Sequence, residues 1–347
     1  MVADDNRPMD TTFSFAGTVQ LRHWGVIRAH GSDAVKFLQG QLTNDLTTLT
    51  PSQVRPAGFC SAKGRLQASF LIWKAADDEL FLACSASVLA ATLKRLSMFV
   101  MRAQCKLTDV SAELALWGVA GDPAEVLMRN AGVGDDTEKV DVDGASLIRL
   151  PAVDGIARLI FAGAVSAPHL AESSVLSAGT PTDAAPPAAL AGLPVVSLDA
   201  WRWLEVRSGL STIEAATVDQ FVPQMLNYDL VGGVDFRKGC YPGQEIVARS
   251  QYRGTIKRRL FLFDVDLPAA PGQEVFHSAD PGQPAGQIVN AAPHPTGPGA
   301  SVLVEVKLAA LDSGSLHLAT PDGAMLRQST LPYAVPIDAQ NAAPPTS

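Results

Sequence analysis

The feature that most constrains the fold is a run of alternating apolar and polar residues at positions 55–87, RPAGFCSAKGRLQASFLIWKAADDELFLACSAS. The run breaks at AKG and ADDE, which is typical of antiparallel strands joined by short turns. A helical stripe follows, because Leu89, Leu93, Leu96 and Val100 recur at helical spacing. This part of the chain therefore predicts an antiparallel sheet backed by a helix.

A second cycle of elements follows in the same order. AELALWGVAG reads as a strand, DPAEVLMRNAGV as a helix, and ASLIRLPAV and GIARLIFAG as strands. From RRLFLFDVDLP onward, Gly and Pro punctuate short apolar runs such as ASVLVEVK, which is typical of short strands and turns. The predicted fold class is α+β: two related antiparallel-sheet-plus-helix domains followed by a C-terminal β-barrel.

The length of 347 residues fits two or three structural units. We predict an N-terminal α+β unit at residues 12–110, a second α+β unit at 111–255, and the barrel at 256–335. A long surface loop is predicted at about 171–193, because AESSVLSAGTPTDAAPPAALAGL is rich in Ala, Ser, Thr and Pro and holds no aromatic residue.

Composition limits the class of protein. Apolar residues make up 47% and charged residues 18%, the balance of a soluble globular protein. No apolar run is long enough for a membrane span, and the start of the chain is acidic and polar, so we predict a cytoplasmic protein without membrane contact. The net charge of −8 disfavours direct nucleic-acid binding, which needs a basic surface.

The four cysteines, Cys60, Cys84, Cys105 and Cys240, include no CxxC pair, and no histidine lies at metal-ligand spacing from them. Neither a disulfide framework nor a metal site is therefore indicated, and we expect reduced thiols. Three of the thiols sit in apolar segments and are expected to be small buried residues.

Only Cys240 lies among turn formers and charges, in FRKGCYPGQEIVARSQYRG. Pro242 suits the first turn of a helix, so Cys240 is expected near a helix N-terminus. Exposed helix amides and the neighbouring Lys238 would favour its thiolate form. A small residue filling a turn explains the same pattern, and local sequence alone leaves both interpretations open.

The surrounding segment is unusually basic. Seven basic residues and one acid, Glu245, lie between positions 237 and 259; the basic residues are Arg237, Lys238, Arg249, Arg253, Lys257, Arg258 and Arg259. A solvated charged face is the ordinary explanation, and an anionic ligand or partner is the other. Upstream, Gln224, Asn227 and Tyr228 are able to bond the edge of a flat heterocycle, although a capped loop accounts for them equally well.

KGCYPGQEIVARSQYRG, with FVPQMLNYDLVGGVDF before it, resembles the YgfZ-type folate-binding proteins, whose hallmark is KGCYxGQE, and more distantly the T-protein (aminomethyltransferase) of the glycine cleavage system. FLQGQLTNDL and CSAKGRLQASFLIW are similar to that family's other characteristic segments. The resemblance covers about residues 15–260 and implies two related α+β domains and a barrel around a folate site.

The resemblance also implies a function. Family members bind tetrahydrofolate or a derivative and support iron–sulfur enzymes, including those that thiolate tRNA, under oxidative stress. Expected partners are folate and iron–sulfur enzymes or cluster-assembly proteins. Cys240 is the implied functional thiol, with Lys238 beside it. The residues expected to contact folate are Tyr241, Gly243, Gln244, Glu245, Gln224, Asn227, Arg207 and Arg249, the basic segment facing the glutamate tail.

Two departures from the T-protein pattern argue against aminomethyl transfer. The stretch AKGRLQAS carries no carboxylate where T-proteins use one. Val206 to Gly209 stand where T-proteins tend to have Leu-Glu-Ala-Gly, so Glu205 or Glu214 would have to replace the acid that pairs with the pterin ring, unless folate is held differently. An aminomethyltransferase-like enzyme and an RNA-contacting module remain the alternatives.

Overall fold

The computed structural model describes residues 15–134, 137–165, 186–252 and 256–336. The predicted limits at residues 12 and 255 lie outside these ranges, as does the part of the predicted loop at 171–185. From the remainder of that loop, residues 188–190 form a short 3-10 helix.

The first half of the chain forms seven strands and three helices. They are β1 (Gly17–Gln20), β2 (Trp24–His30), α1 (Ala34–Gln39), β3 (Val54–Cys60), β4 (Leu66–Ala76), β5 (Glu79–Ser85), α2 (Ala86–Val100), β6 (Lys106–Asp109), β7 (Leu114–Ala120) and α3 (Asp122–Asn130). The second half holds the remaining elements. They are β8 (Lys139–Val142), β9 (Ala145–Val153), β10 (Ile156–Ala164), α4 (Leu198–Arg207), α5 (Gln244–Tyr252), β11 (Arg258–Val265), β12 (Glu274–His277), β13 (Asp280–Pro293), β14 (Ala300–Lys307), β15 (Leu316–Leu318) and β16 (Met325–Ser329).

The first five-stranded sheet has the order β3-β4-β5-β2-β6, and every neighbouring pair is antiparallel. α2 packs on this sheet through the predicted stripe: Leu89 and Leu96 are buried, and Leu93 and Val100 are partly buried in the same core. Burial of this stripe removes apolar side chains from water, which holds the helix on the sheet.

The second sheet is also five-stranded and antiparallel, in the order β1-β7-β10-β9-β8, and α3 packs against it. Its edge strand β1 comes from the start of the chain and places Gly17 opposite Ala120 of β7. In β7, a Cβ on Gly118 would lie 2.6 Å from the ring of Trp201, so glycine lets α4 approach the sheet closely.

The C-terminal strands form a closed antiparallel barrel in the order β11-β14-β13-β12-β15-β16, with β11 also pairing with β16. α4 packs against β13 and β14 and against β1, so it joins the barrel to the second sheet. The fold class predicted from sequence, two antiparallel-sheet-plus-helix layers and a barrel, is confirmed. No helix in the described ranges is long and apolar enough to cross a membrane.

Candidate functional site

The hallmark loop, residues 237–243, is fastened to the first domain by Lys238. This side chain is buried, and its Nζ donates hydrogen bonds to the backbone oxygens of Gln39, at 2.5 Å, and Leu42, just after α1. Nζ also lies 5.0 Å from the ring centroid of Tyr241, a cation–π contact. Burial lowers the pKa of Lys238 to about 8 and raises the pKa of Tyr241 above its usual value. The geometry of Lys238 is that of an anchor for the loop.

Gly243 locks the other end of the loop against the turn between β3 and β4. A Cβ on Gly243 would lie 2.3 Å from the backbone oxygen of Ser61 and 2.6 Å from Cα of Gly64. The φ of Gly243 is +79°, a conformation that other residues rarely adopt. The two sequence segments CSAKGRLQ and KGCYPGQE therefore meet in space with no room for a side chain between them.

Cys240 is exposed at the tip of this loop, and α5 begins shortly after it, at Gln244. Cys60 and Cys84 are buried as the sequence predicted, whereas Cys105, also predicted to be buried, is half-buried. Burial raises the pKa of Cys60 and that of Cys84 to about 12. Among the four, Cys240 is the exposed thiol.

Three further predicted contact residues lie on α5. Gln244 turns back to the loop, with Nε2 3.5 Å from the backbone oxygen of Lys238. Glu245 and Arg249 are exposed and form an ion pair one turn apart, with 3.3 Å between Nη2 of Arg249 and Oε1 of Glu245. A pair this exposed contributes little to stability and leaves both groups open to solvent.

Gln224 and Asn227 are buried. Nε2 of Gln224 donates to the backbone oxygen of Val247 in α5 at 2.7 Å, and Nδ2 of Asn227 donates to that of Leu260 in β11 at 2.8 Å. Their side-chain oxygens have no hydrogen-bond partner among the described residues. The two side-chain amides therefore tie residues 224–227 to α5 and to the first strand of the barrel.

Two arginines of the basic segment are compensated by acids that are distant in sequence. Arg259 forms a buried ion pair with Asp229, at 2.6 and 2.9 Å, and Arg258 pairs with Glu305. Arg249 pairs with Glu245, and Lys238 is bound by carbonyl oxygens. The charge count from sequence overstates the positive field, because the sequence does not show which acids fold onto it.

A separate cavity of about 980 Å³ opens between the two α+β layers. Its walls come from β3 and β4, from α3, β9 and β10, from α4, and from the segment after the barrel. The polar and aromatic residues that line it are Trp24, Glu125, Arg129, Glu138, Arg149, Arg158, Glu205, Ser208, Thr212 and Tyr333. Its size lies at the upper end of the range for small-molecule and cofactor sites, about 300–1,000 Å³.

Glu205 of α4 is the best-supported acid in this cavity. Its Oε1 accepts hydrogen bonds from Nε1 of Trp24 at 2.9 Å and Nε1 of Trp201 at 2.8 Å, and its Oε2 lies 2.7 Å from Nε2 of His23. Burial by itself raises the pKa of Glu205, but the charge of His23 and the three hydrogen bonds outweigh it, so the pKa lies below the usual value. Glu205 is therefore held ionised in a fixed position.

Arg158, from β10, supplies a second positive charge near Glu205. It is buried, and its Nε and Nη2 both donate to the backbone oxygen of Pro151, at 3.1 and 3.0 Å. Burial lowers the pKa of Arg158 to about 10, with the charge of Glu205 acting in the opposite direction. Its guanidinium carbon lies 5.9 Å from the ring centroid of Trp201, so Trp201 contacts both Glu205 and Arg158.

The cavity and the hallmark loop lie at opposite ends of the β3–β4 hairpin. Val54, Pro56 and Leu71 line the cavity, whereas the loop packs on the turn after Cys60. At about 3.3 Å per strand residue, the stretch from Pro56 to that turn spans roughly 16 Å.

None of the ten predicted site residues is among the described residues that line the cavity. Arg207, the predicted residue on α4, points elsewhere: its Nε donates to Asp154 at 2.7 Å, and its guanidinium stacks on Trp203 at 4.8 Å. The folate contacts predicted for eight of these residues, and the functional roles predicted for Cys240 and Lys238, stay predictions.

Sequence reasoning weighed Glu205 only as a substitute acid and missed His23, Trp24 and Arg158. One signal was available: Trp201 and Glu205 stand four residues apart in WRWLE and so share a helix face. The pairing with His23 and Trp24 depends on the packing of α4 against the turn before β2, which no local pattern shows.

Comparison with known proteins agrees with this fold. Residues 6–160 match the family described as GCVT N-terminal domain. The tRNA-modifying protein YgfZ of Colwellia psychrerythraea is 29% identical over 328 residues, which cover 91% of this chain and 93% of that protein. The proteins of the same name from Hamiltonella defensa and Edwardsiella ictaluri are 30% and 34% identical, over 70% of this chain and 68% and 69% of theirs.

The crystal structure of glycine cleavage system aminomethyltransferase T from Bartonella henselae superposes with a TM-score of 0.68, covering 93% of this chain and 86% of that one. At 17% identity, this likeness shows a shared fold. The sequence matches carry the assignment further, since two relatives reach 30% identity over more than two thirds of their length. The chain belongs to the family of the tRNA-modifying protein YgfZ and has the fold of the glycine cleavage T-protein.

Proposed function

We propose that this protein binds a reduced folate in the cavity between its two α+β layers and supports the assembly or repair of iron–sulfur cluster enzymes, including tRNA-modifying ones. The observation that carries the folate half is the ionised carboxylate of Glu205, fixed in the cavity by three donors. Tetrahydrofolate or a derivative is the proposed ligand, in agreement with the family resemblance.

The donors and acceptors of the cavity fit the ring of a folate. A pterin carries an amino group and ring N–H groups that donate hydrogen bonds, and a buried carboxylate is a strong acceptor for them. A carboxylate has about four acceptor positions, and protein donors already use three on Glu205, so about one is left for the ligand. Trp24 and Tyr333 supply flat apolar walls for the ring.

The residues of this chain would divide the binding work. Glu205 orients the ring, and Arg158, held by the backbone oxygen of Pro151, offsets the charge of Glu205 without leaving its place. Arg129 of α3 is exposed at the cavity and is suited to the carboxylates of a glutamate tail. This role replaces the one predicted for the basic segment, because Arg249, Arg258 and Arg259 form ion pairs elsewhere and do not line the cavity.

Cys240 is proposed to act on a protein partner rather than on the bound folate. It is exposed, it does not line the cavity, and its loop packs at the other end of the β3–β4 hairpin. Lys238 and Gly243 fix that loop from both sides, which presents the thiol in one position. An exposed thiol on a rigid loop suits contact with an iron–sulfur enzyme or a cluster-assembly protein.

Calorimetric titration with tetrahydrofolate tests the folate half. We expect saturable binding that weakens by about 10- to 100-fold in Glu205→Gln, the loss that corresponds to one hydrogen bond to a charged group. Glu214→Gln is the matched control, because Glu214 contacts Asn290 and does not line the large cavity. Absence of saturable heat, or equal weakening in both variants, contradicts the proposal.

Rescue of iron–sulfur enzyme activity in a strain lacking the gene tests the second half. Cys240→Ala is expected to abolish rescue, whereas Cys105→Ala, which removes a half-buried thiol, retains it. Full rescue by Cys240→Ala would assign Cys240 a structural role and remove the thiol from the account.

A further inference from the structure

The C-terminal end of α2 carries an apolar and basic surface that neither the cavity nor the hallmark loop uses. We call its members the α2 patch: Lys94, Arg95, Met98, Phe99, Met101 and Arg102. Met101 and Met98 are 87% and 70% exposed, among the most exposed large apolar residues of the described chain, and Phe99 is 44% exposed. Apolar side chains concentrated this way on a surface mark interaction sites more often than chance.

Helical spacing explains why Lys94, Arg95, Met98 and Phe99 share one face, and Met101 and Arg102 follow directly after the helix. Thr92, Leu96 and the earlier Val88 and Leu89 point into the core of the first domain. Residues three and four apart on a helix are neighbours, so Lys94 and Arg95 lie one turn before Met98 and Phe99 on the outward side. The inward stripe packs α2 on the first sheet, and the outward apolar residues are not part of that core.

The charge of the patch is opposite to that of the protein. No Asp or Glu occurs between residues 80 and 108, and Lys94, Arg95 and Arg102 form no ion pair with another described residue. The chain as a whole carries a net charge of −8. Uncompensated cations around apolar anchors complement an acidic partner with an apolar face.

We propose that the α2 patch docks an acidic, apolar-faced segment of a partner protein. Methionine side chains are unbranched and polarisable, so they adapt to partners of irregular shape. A second copy of the chain does not fit by two-fold symmetry, because the same patch would face itself and set cations against cations.

The other classes of partner fit less well. A lipid surface takes up the long apolar face of a helix, and the long apolar stripe of α2 is buried in the first domain, which leaves three exposed apolar residues at one end. Single-stranded RNA binds largely by stacking bases on aromatic rings, and Phe99 is the one aromatic residue of the patch. Apolar methionines ringed by cations match a helix with leucine on one side and glutamate on the other.

A fluorescein-labelled peptide of about 20 residues, helical, with leucine on one face and glutamate on the other, serves as the probe in anisotropy titrations of the full chain. We expect saturable binding that weakens at least about tenfold in the Met98→Ser, Met101→Ser double variant. The matched control Met325→Ser changes a methionine of the barrel that is 51% exposed and should bind as the wild type does. Far-UV circular dichroism and thermal melting of each variant confirm that it is folded.

Two further arms separate the contributions and the alternatives. A peptide of equal charge with alanine in place of leucine should bind about tenfold more weakly, and added salt should weaken both peptides. No binding of the leucine peptide, or equal binding of both peptides, overturns the proposal. Binding of total tRNA or of phosphatidylglycerol vesicles that is lost in the double variant, with no peptide binding, overturns it in favour of those partners.

Discussion

Replacement of Glu205 by Gln tests the hydrogen-bonded centre of the cavity without any ligand. The variant keeps the size of the side chain, but it removes the charge and turns an amide donor toward one of the three present donors. Hydrogen bonds to charged groups contribute about 1.5–3 kcal/mol each, and a carbonyl oxygen retains part of this. The side chain is about one-fifth exposed, so solvent screens it little. We expect Glu205→Gln to lower the free energy of unfolding by about 2–4 kcal/mol at neutral pH.

The pH dependence of this stability difference provides a second test that Glu205 is ionised in the folded protein. The pKa of Glu205 in the folded protein lies below its usual value, so its ionised form stabilises the fold above the unfolded-state pKa of about 4.3. This stabilisation is lost as the pH falls through the folded-state pKa. The difference in unfolding free energy between wild type and Glu205→Gln should therefore narrow as the pH is lowered below about 4.3.

Urea unfolding followed by far-UV circular dichroism measures the effect at each pH. Glu214→Gln is the control, because the carboxylate of Glu214 accepts a hydrogen bond from the neutral amide of Asn290, at 2.9 Å, rather than from a charged group. This variant should cost less than about 1.5 kcal/mol. A difference below about 0.5 kcal/mol for Glu205→Gln, or one that widens at low pH, would refute the idea that three donors hold an ionised carboxylate there.

Three other predictions concern the hallmark loop and its supports. One thiol should react rapidly with Ellman's reagent in the native protein, and Cys240→Ser should abolish this rapid reaction, because burial and a pKa of about 12 protect Cys60. A rapid reaction that persists in Cys240→Ser would show that another thiol is accessible to the reagent. Gly243→Ala should destabilise the fold by more than about 2 kcal/mol in urea unfolding, because Gly243 has a positive φ and contacts Ser61. Gly239→Ala is the control and should change the stability little, because open space surrounds Gly239. Equal effects of the two variants would contradict the close packing of Gly243 on the β3–β4 turn. Arg259→Met should lower the free energy of unfolding by about 3–5 kcal/mol in the same assay, because it leaves Asp229 buried and unpaired. Adding Asp229→Asn should restore part of this loss. If stability is not restored, the unpaired carboxylate is not the cause of the destabilisation.

Much of the fold follows from patterns that are local in sequence. The hairpin of β3 and β4 and the inward stripe of α2 come from alternation and helical spacing, which act over a few residues. The placement of β1 does not, because a four-residue strand pairs with β7 about a hundred residues away, and no local pattern names its partner. The same limit explains the basic segment, whose compensating acids Asp229 and Glu305 become neighbours only in the folded chain.

The candidate site divides in the same way. Turn-forming residues around Cys240 predicted an exposed thiol before a helix, and the structure has that arrangement. The residues around the cavity come from separate elements, and each has an ordinary local explanation: His23 lies in a turn, Trp24 begins a strand, and Arg158 lies within another. Tertiary packing brings these residues together around Glu205. Local sequence patterns therefore indicated the exposed thiol but not the cavity.

A crystal structure of the complex with a reduced folate tests the central claim most directly. We predict that the pterin ring lies in the cavity between the two α+β layers, that a ring N–H or amino group donates to Glu205, and that the glutamate tail points toward Arg129. Cys240 should lie outside contact distance of the ligand. A ring bound at the hallmark loop, in contact with Cys240 and away from Glu205, would contradict it.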